Sequence, residues 1–422
     1  MAIARARRLR RSAAWILSLL ARPARRAQVT QGVAVEAYRG YGSAEEIFLI
    51  GRVFRQSGTE RDADPDDLRA QLRDIGRRIR RRRLADVGVT ACFGGSAVRV
   101  ATDGDGYFRI HLRPREPPRS EGAWHPVEIT LDADPPVHAQ GEVFIPPERC
   151  RFVVISDIDD TVMHTGVANK LKMLWRLFVA DAASRVAFPG VAALYRALHA
   201  GPAGAERNPM LYVSRAPWGI YDMLSEFFRL HAIPVGPVLF LREWGLSWRH
   251  PLPRRAEEHK RDLIGHMLTL YHDLPFVLIG DSGQHDPEVY ARIVSENPGR
   301  VLAVYIRNVS REASRAAEIE QLAKTVAAAG SSLVLAADSR AIAEHAARLG
   351  LIAAQAVEDV ASEKVAAEGA GRRSPLRRIS RSTPDATAAA VTGGELDAAL
   401  DDSSPDPPNV IVEPAHRGHT GS

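Results

Sequence analysis

The chain has 422 residues, enough for two or three domains, and its 45% hydrophobic content supports at least one sizeable core. Its net charge of +5 is mild and is carried by arginine, so the distribution of charge matters more than its size. Two cysteines, Cys92 and Cys150, in no metal-binding spacing, exclude a disulfide framework, leave room for at most one bridge, and suit a reducing, cytoplasmic setting.

Residues 1–27 hold eight arginines and no acid, arranged around the apolar stretch from Ala13 to Ala21. That stretch falls well short of the roughly 20 residues a bilayer span needs. Arg22, Arg25 and Arg26 follow it directly, with no clear small-residue cleavage site. Two readings stand side by side. One is a surface-lying segment in which Trp15, Ile16 and Leu19 dip among lipids while arginines meet anionic headgroups. The other is a disordered leader.

Residues 28–149 read as a β-rich, sandwich-like domain. Val127, Ile129 and Leu131 alternate with Glu128 and Thr130, the pattern of a half-buried strand. Further strands are expected around Val33, Val35 and Ala37, over Ile47 to Val53, and at Val98 and Val100. Asp103-Gly-Asp-Gly106 ahead of Tyr107-Phe-Arg-Ile110 predicts a hairpin turn; its ligand series stops too soon for a calcium loop. One helix interrupts the strands: Leu68, Leu72, Ile75 and Ile79 keep helical spacing, and Asp66 or Asp67 can cap the start. It ends in Arg77-Arg78-Ile-Arg80-Arg81-Arg82-Arg83. Six arginines exceed what a helix dipole calls for and point to a phosphate-rich partner, lipid headgroups or nucleic acid, against a merely solvated helix end. No aromatic residue interleaves them, which weakens the single-stranded nucleic-acid version.

Residues 150–355 alternate apolar runs with helical stretches. The runs are Phe152 to Ile155, Met210 to Val213, Val238 to Leu241, Phe276 to Ile279, Val301 to Ile306 and Leu333 to Ala336. Connections of this length suit helical crossovers, so the fold class is α/β with a doubly wound, mostly parallel sheet. Its last helix is expected from Ser339 to Arg348, closing at Gly350. From 356 to 422 the composition drifts to Ala, Ser, Pro, Thr and Gly, with a basic block at 372–380 and an acidic one at 397–406, and predicts a disordered tail.

Four pieces carry the chemistry. Asp157-x-Asp159-x-Thr161 follows the run Phe152 to Ile155; Ser214 ends the run Leu211-Tyr-Val; Lys260 opens a helix through Leu263, Ile264 and Met267; Gly280-Asp281 ends the run Val277-Leu-Ile, with Asp286 five residues on. Each alone has an ordinary explanation as a turn, a cap or a solvated charge. Together they put carboxylates on one rim of one sheet, where they repel unless a cation intervenes, and chemistry in open parallel sheets sits beyond that rim. Phosphoryl transfer asks for this set: a carboxylate nucleophile, oxygen ligands for Mg²⁺, a hydroxyl and an ammonium for the phosphate oxygens, and a second carboxyl as acid and base.

The four pieces resemble the haloacid-dehalogenase-like phosphohydrolase superfamily. Ile155-Ser-Asp-Ile-Asp-Asp-Thr161, Phe188-Pro-Gly-Val191, Tyr212-Val-Ser-Arg-Ala-Pro-Trp218, His259-Lys260 and Ile279-Gly-Asp-Ser-Gly-Gln-His-Asp-Pro-Glu-Val-Tyr290 more narrowly resemble the actin-patch-associated phosphatidate phosphatase family. The resemblance implies Asp157 as nucleophile, Asp159 as general acid and base, and Thr161 shaping the loop behind them. It implies Ser214 and Lys260 as holders of the phosphate. It also implies Asp157, the backbone carbonyl of Asp159, Asp281 and Asp286 around Mg²⁺. The implied reaction is hydrolysis of phosphatidate to diacylglycerol and phosphate, with peripheral membrane contact. Arg215 stands where a small residue is expected and would add a headgroup contact; Gln284 and His285, beside the metal loop, would meet the headgroup or serve as hydrogen bonders behind the ligands. The apolar stretch Leu171 to Val179 would arch over the site, its side chains receiving acyl chains or packing as an ordinary helix. Two other functions fit the same residues: a phosphomonoesterase for a soluble or nucleic-acid-end substrate, and a non-catalytic lipid-binding scaffold, the latter disfavoured by the intact carboxylate set.

Overall fold

The computed structural model describes residues 28–30, 32–55, 82–118, 122–159, 190–214, 221–240, 256–310, 312–372 and 409–414. The leader at 1–27, the arginine-rich helix as far as residue 81, Thr161, the stretch Leu171 to Val179 and Arg215 lie outside the described residues.

Ten short strands come first: β1 (Gln28–Thr30), β2 (Val33–Ala37), β3 (Gly40–Gly42), β4 (Ile47–Arg55), β5 (Arg82–Arg83), β6 (Gly88–Phe93), β7 (Ser96–Ala101), β8 (Tyr107–Leu112), β9 (Trp124–Leu131) and β10 (Val137–Phe144). They form one hydrogen-bonded network in the order β1-β2-β4-β3-β10-β9-β6-β7, with β5 and β8 also bonded to β4. Alternation decides which side chains go inward. In β9, Val127, Ile129 and Leu131 are buried while Pro126 and Glu128 are exposed. They join Ile47, Leu49, Val53, Phe108 and Ile110 in one core.

Two expectations for this region need correction. The predicted helix does not reach its last two arginines: Arg82 and Arg83 are a strand, paired antiparallel with Arg55 and Phe54, because β4 offers them an open edge beyond β8. The turn at Asp103–Gly106 is present, but it does not close a hairpin. The Asp103 carboxylate takes the amides of Asp105 and Tyr107 at 3.0 and 2.9 Å, while β7 bonds to β6 and β8 to β4. The turn chemistry was local, and the choice of strand partner was made by burial.

The second sheet runs β11 (Val153–Asp159), α1 (Val191–Ala200), β12 (Met210–Ser214), α2 (Tyr221–Leu230), β13 (Val238–Phe240), α3 (Ala256–Leu270), β14 (Phe276–Asp281), α4 (Asp286–Glu296), β15 (Val301–Arg307), α5 (Ala313–Ala328), β16 (Ser332–Ala336), α6 (Ser339–Arg348), α7 (Ala356–Arg372) and β17 (Val410–Val412). Its order is β13-β12-β11-β14-β15-β16-β17, parallel throughout except for β17. The strand order reverses at β11, which leaves a crevice at the carboxyl ends of β11 and its neighbours. Side chains of α1, α2 and α6 pack one face with Phe152, Val154 and Tyr212; those of α3, α4 and α5 pack the other with Val153, Ile155 and Leu211. Burial on both faces is why these strands read as unbroken apolar runs.

The tail departs from expectation where it is described. Residues 356–372 form α7, although little apolar periodicity announces it. Its alanines and glutamates favour helix, Val360 is fully buried, and Lys364 and Glu363 pair with Asp338 and Arg196. Gly190, with φ of 82°, lets the chain pass beneath it: a Cβ there would lie 2.8 Å from the Val360 carbonyl oxygen. Residues 410–412 pair with β16 and cover its edge. The two sheets meet through Tyr38, packed 4.7 Å from the ring of Tyr221, and through Phe48, whose ring lies 5.1 Å from His266 of α3. Among the described residues no helix is long and apolar enough to cross a membrane, and both cysteines are free.

Candidate active site

The carboxyl rim of the second sheet gathers Asp157, Ser214, Lys260, Asp281 and Asp286 from among the residues singled out from the sequence. Asp157 of β11 lies beside Val213 of β12, and Asp159 beside Ser214, with a register shift between them. On the other side Asp281 ends β14. Asp159 closes its strand, and its side chain lies outside the described residues.

Lys260 reaches the rim because α3 buries one face. Leu263, Ile264 and Met267 follow it at helical spacing and are buried against the sheet, which turns Lys260 inward at the helix start. Its ammonium donates to Asp157 Oδ2 at 2.8 Å and to Asp286 Oδ1, in a site where the three side chains are 2%, 3% and 1% exposed. Burial works against the charged lysine, but the two carboxylates outweigh it and hold its pKa well above the ordinary value. Asp286, in the first turn of α4, also accepts the Asp281 amide at 3.3 Å. Gly280 makes room for it: a Cβ there would lie 2.8 Å from the Cβ and Cγ of Asp286.

One oxygen from each of Asp157, Asp281 and Asp286 lies within 4.8 Å of the others. Hard cations bind carboxylate oxygens at about 2.0–2.6 Å, so oxygens this close can share one ion. The charge balance agrees. Three carboxylates face one ammonium, and burial, then the charge of Asp286, pushes the Asp281 carboxyl above the usual range. The donor set therefore fits a divalent cation. Ser214 is 1% exposed at the end of β12. Gln284 is half-buried, whereas the His285 side chain is 65% exposed, its Nε2 3.4 Å from Glu257 Oε1 and turned to solvent.

Residues 152–308 match the model of a family described as phosphatidate phosphatase APP1, catalytic domain. The segment is similar to that family. A Saccharomyces cerevisiae protein named phosphatidate phosphatase APP1 is 29% identical over 203 residues, covering 46% of this chain and 33% of that protein. An uncharacterized Schizosaccharomyces pombe protein is 28% identical over 163 residues, 38% of this chain and 26% of its own length. The chain thus spans about a third or less of the length of these two relatives. Among solved structures, a carbohydrate acetylesterase from Xanthomonas citri aligns over 63% of this chain and 66% of its own at 11% identity, with a TM-score of 0.24, too slight a likeness to carry an argument.

The matched segment also holds rim residues that sequence reasoning passed over. Arg307, 8% exposed, ends β15 in register with Asp281. Burial brings its pKa down to about 9, against the charges of Asp281 and Asp338. The signal was in the sequence, since Arg307 follows an apolar run as Asp157 and Asp281 do. Tyr195 of α1 meets Ser156 Oγ at 2.6 Å directly before Asp157, and nothing in the sequence marked that contact.

Proposed function

We propose that the chain is a Mg²⁺-dependent phosphatidate phosphatase that releases diacylglycerol and phosphate. The convergence of Asp157, Lys260, Asp281 and Asp286 at the switch point of an APP1-family segment carries this reading. Asp157 is the nucleophile. One oxygen of its carboxylate forms a bond to phosphorus as the bond from phosphorus to the glycerol oxygen breaks. Asp159 gives its proton to the departing alkoxide, then takes one from the water that cleaves the aspartyl-phosphate. Ser214 and Lys260 donate to the phosphoryl oxygens, and Thr161 shapes the loop behind the nucleophile. Mg²⁺, held by Asp157, Asp281, Asp286 and the Asp159 carbonyl, would supply the charge that lets an anionic carboxylate approach an anionic phosphate. Arg215, Gln284 and His285 would meet the headgroup.

The same reading divides the chain into a basic leader (1–27), a sandwich-like β domain (28–149), a haloacid-dehalogenase-like catalytic domain (150–355) and a tail, and it places the protein at an anionic membrane surface. The test is phosphate release from phosphatidate vesicles and from soluble phosphate esters, with and without Mg²⁺. Wild-type protein should prefer the vesicles and require the ion. Asp157→Asn should reduce turnover by at least about 10⁴-fold while leaving the circular dichroism spectrum and vesicle binding unchanged. Equal or better turnover of soluble esters would shift the reading to a soluble phosphomonoesterase, and vesicle binding without turnover to a scaffold.

A further inference from the structure

The turn that joins Asp281 to Asp286 is held from outside by one side chain. Arg315, in the first turn of α5, donates from Nε to the Ser282 carbonyl at 3.0 Å and from Nη2 to the Gln284 carbonyl at 2.6 Å. Nη1 and Nη2 also meet the two oxygens of Glu288, at 2.5 and 3.0 Å, and Nη1 meets Glu318 Oε2 at 3.0 Å. A guanidinium has five N–H donors in a planar fork, and here five acceptors face them. Arg315 is only 16% exposed. The turn is tied at its other side as well: Ser282 Oγ accepts the amides of Val309 and Ser310 at 2.9 and 3.0 Å, and the Gly283 amide donates to Asp281 Oδ1 at 2.8 Å.

The bonds to Ser282, Gly283 and Gln284 constrain the five-residue step between two carboxylates that must converge with Asp157, and those to Glu288 and Glu318 hold the guanidinium in place to make them. We propose that Arg315 is the positioning residue of the cation-side loop: it touches neither substrate nor ion, and it sets the separation of Asp281 and Asp286. This rests on the phosphatase reading and adds to it the residue that tunes cation affinity. Lysine cannot replace it, because a single ammonium cannot reach two carbonyls and a carboxylate fork at once.

Charge and geometry predict opposite outcomes. Removing a positive charge near three carboxylates would strengthen cation binding if electrostatics were the whole role. Losing the clamp weakens it. The experiment is thermal unfolding of the full chain titrated with Mg²⁺ in the absence of substrate, for wild type, Arg315→Gln, Arg315→Lys and Glu288→Gln. Arg315→Gln should raise the Mg²⁺ concentration at half-maximal stabilisation about tenfold or more, and Arg315→Lys should not rescue it. Turnover should return at high Mg²⁺ with KM for phosphatidate unchanged. Glu288→Gln, which spares both carbonyl contacts, should move the midpoint less in the same direction. A wild-type or lowered midpoint in Arg315→Gln overturns the inference; if that variant does not fold, an unmoved midpoint in Glu288→Gln does so. A wild-type protein that gains no stability from Mg²⁺ would instead remove the phosphatase reading, and this inference with it.

Discussion

Lys260 shows how much of this site one residue holds. Its ammonium sits between Asp157 and Asp286 with almost no contact with water. Breaking a buried ion pair from one side leaves an uncompensated charge and costs about 3–5 kcal/mol. Lys260→Met should therefore unfold at lower urea, with a loss of that order, and turnover should fall about 10²–10³-fold or more. Because the loss comes from carboxylate repulsion, millimolar Mg²⁺ should restore part of the stability but not the turnover. Urea titrations with and without the ion check this, and an equal stability loss in both would show that packing, not charge, is what the lysine supplies. At this scale the sequence was most legible where a charged residue ended an apolar run, as at Asp157 and Asp281. Asp286 and Lys260 stood out only as members of the four-piece set, each having an ordinary explanation alone, and nothing marked Arg315, since no local spacing encodes a contact made 31 positions away.

Among the elements, the strands of the second sheet were legible because burial on both faces leaves no polar interruption. Helix α7 was not. Among its described side chains the fully buried one is Val360, and the pairs that dock it belong to distant elements. One of those pairs makes a prediction. Asp338 caps α6 through the Ala341 amide at 2.9 Å and binds Lys364 of α7. Burial alone would raise its pKa, but the Lys364 hydrogen bond and the helix amides bring it below the ordinary value. With the folded pKa below the unfolded one, the stability Asp338 lends is complete above the usual carboxylate range and is lost as pH falls through the folded value. Asp338→Ala should cost about 1 kcal/mol at pH 7, with the gap to wild type closing as pH falls below the usual carboxylate range. Amide exchange should rise together in α6 and α7. Faster exchange in α6 alone would mean that α7 docks without this pair.

For the whole molecule, the proposed lipid substrate raises the question of how a site in a sheet crevice would meet a molecule dissolved in a bilayer. Composition gives only a net charge of +5, but eight arginines fall in the first 27 residues, around an apolar stretch containing Trp15, Ile16 and Leu19. Each basic residue held near an anionic surface contributes about 1 kcal/mol, and the attraction decays over about 8–10 Å at physiological salt. Deleting residues 1–27 should therefore weaken binding to phosphatidate-containing vesicles by at least about tenfold at 0.15 M salt, and by less at high salt, where screening already removes much of the attraction. Turnover of a water-soluble ester should not change, because Asp157, Lys260, Asp281 and Asp286 are assembled by strands and helices that begin more than a hundred residues later. Vesicle co-sedimentation at two salt concentrations, paired with the soluble assay, separates the two effects. Unchanged sedimentation would move the membrane contact to the arginines around residues 77–83, and a parallel loss of soluble turnover would mean the leader supports the fold rather than the surface.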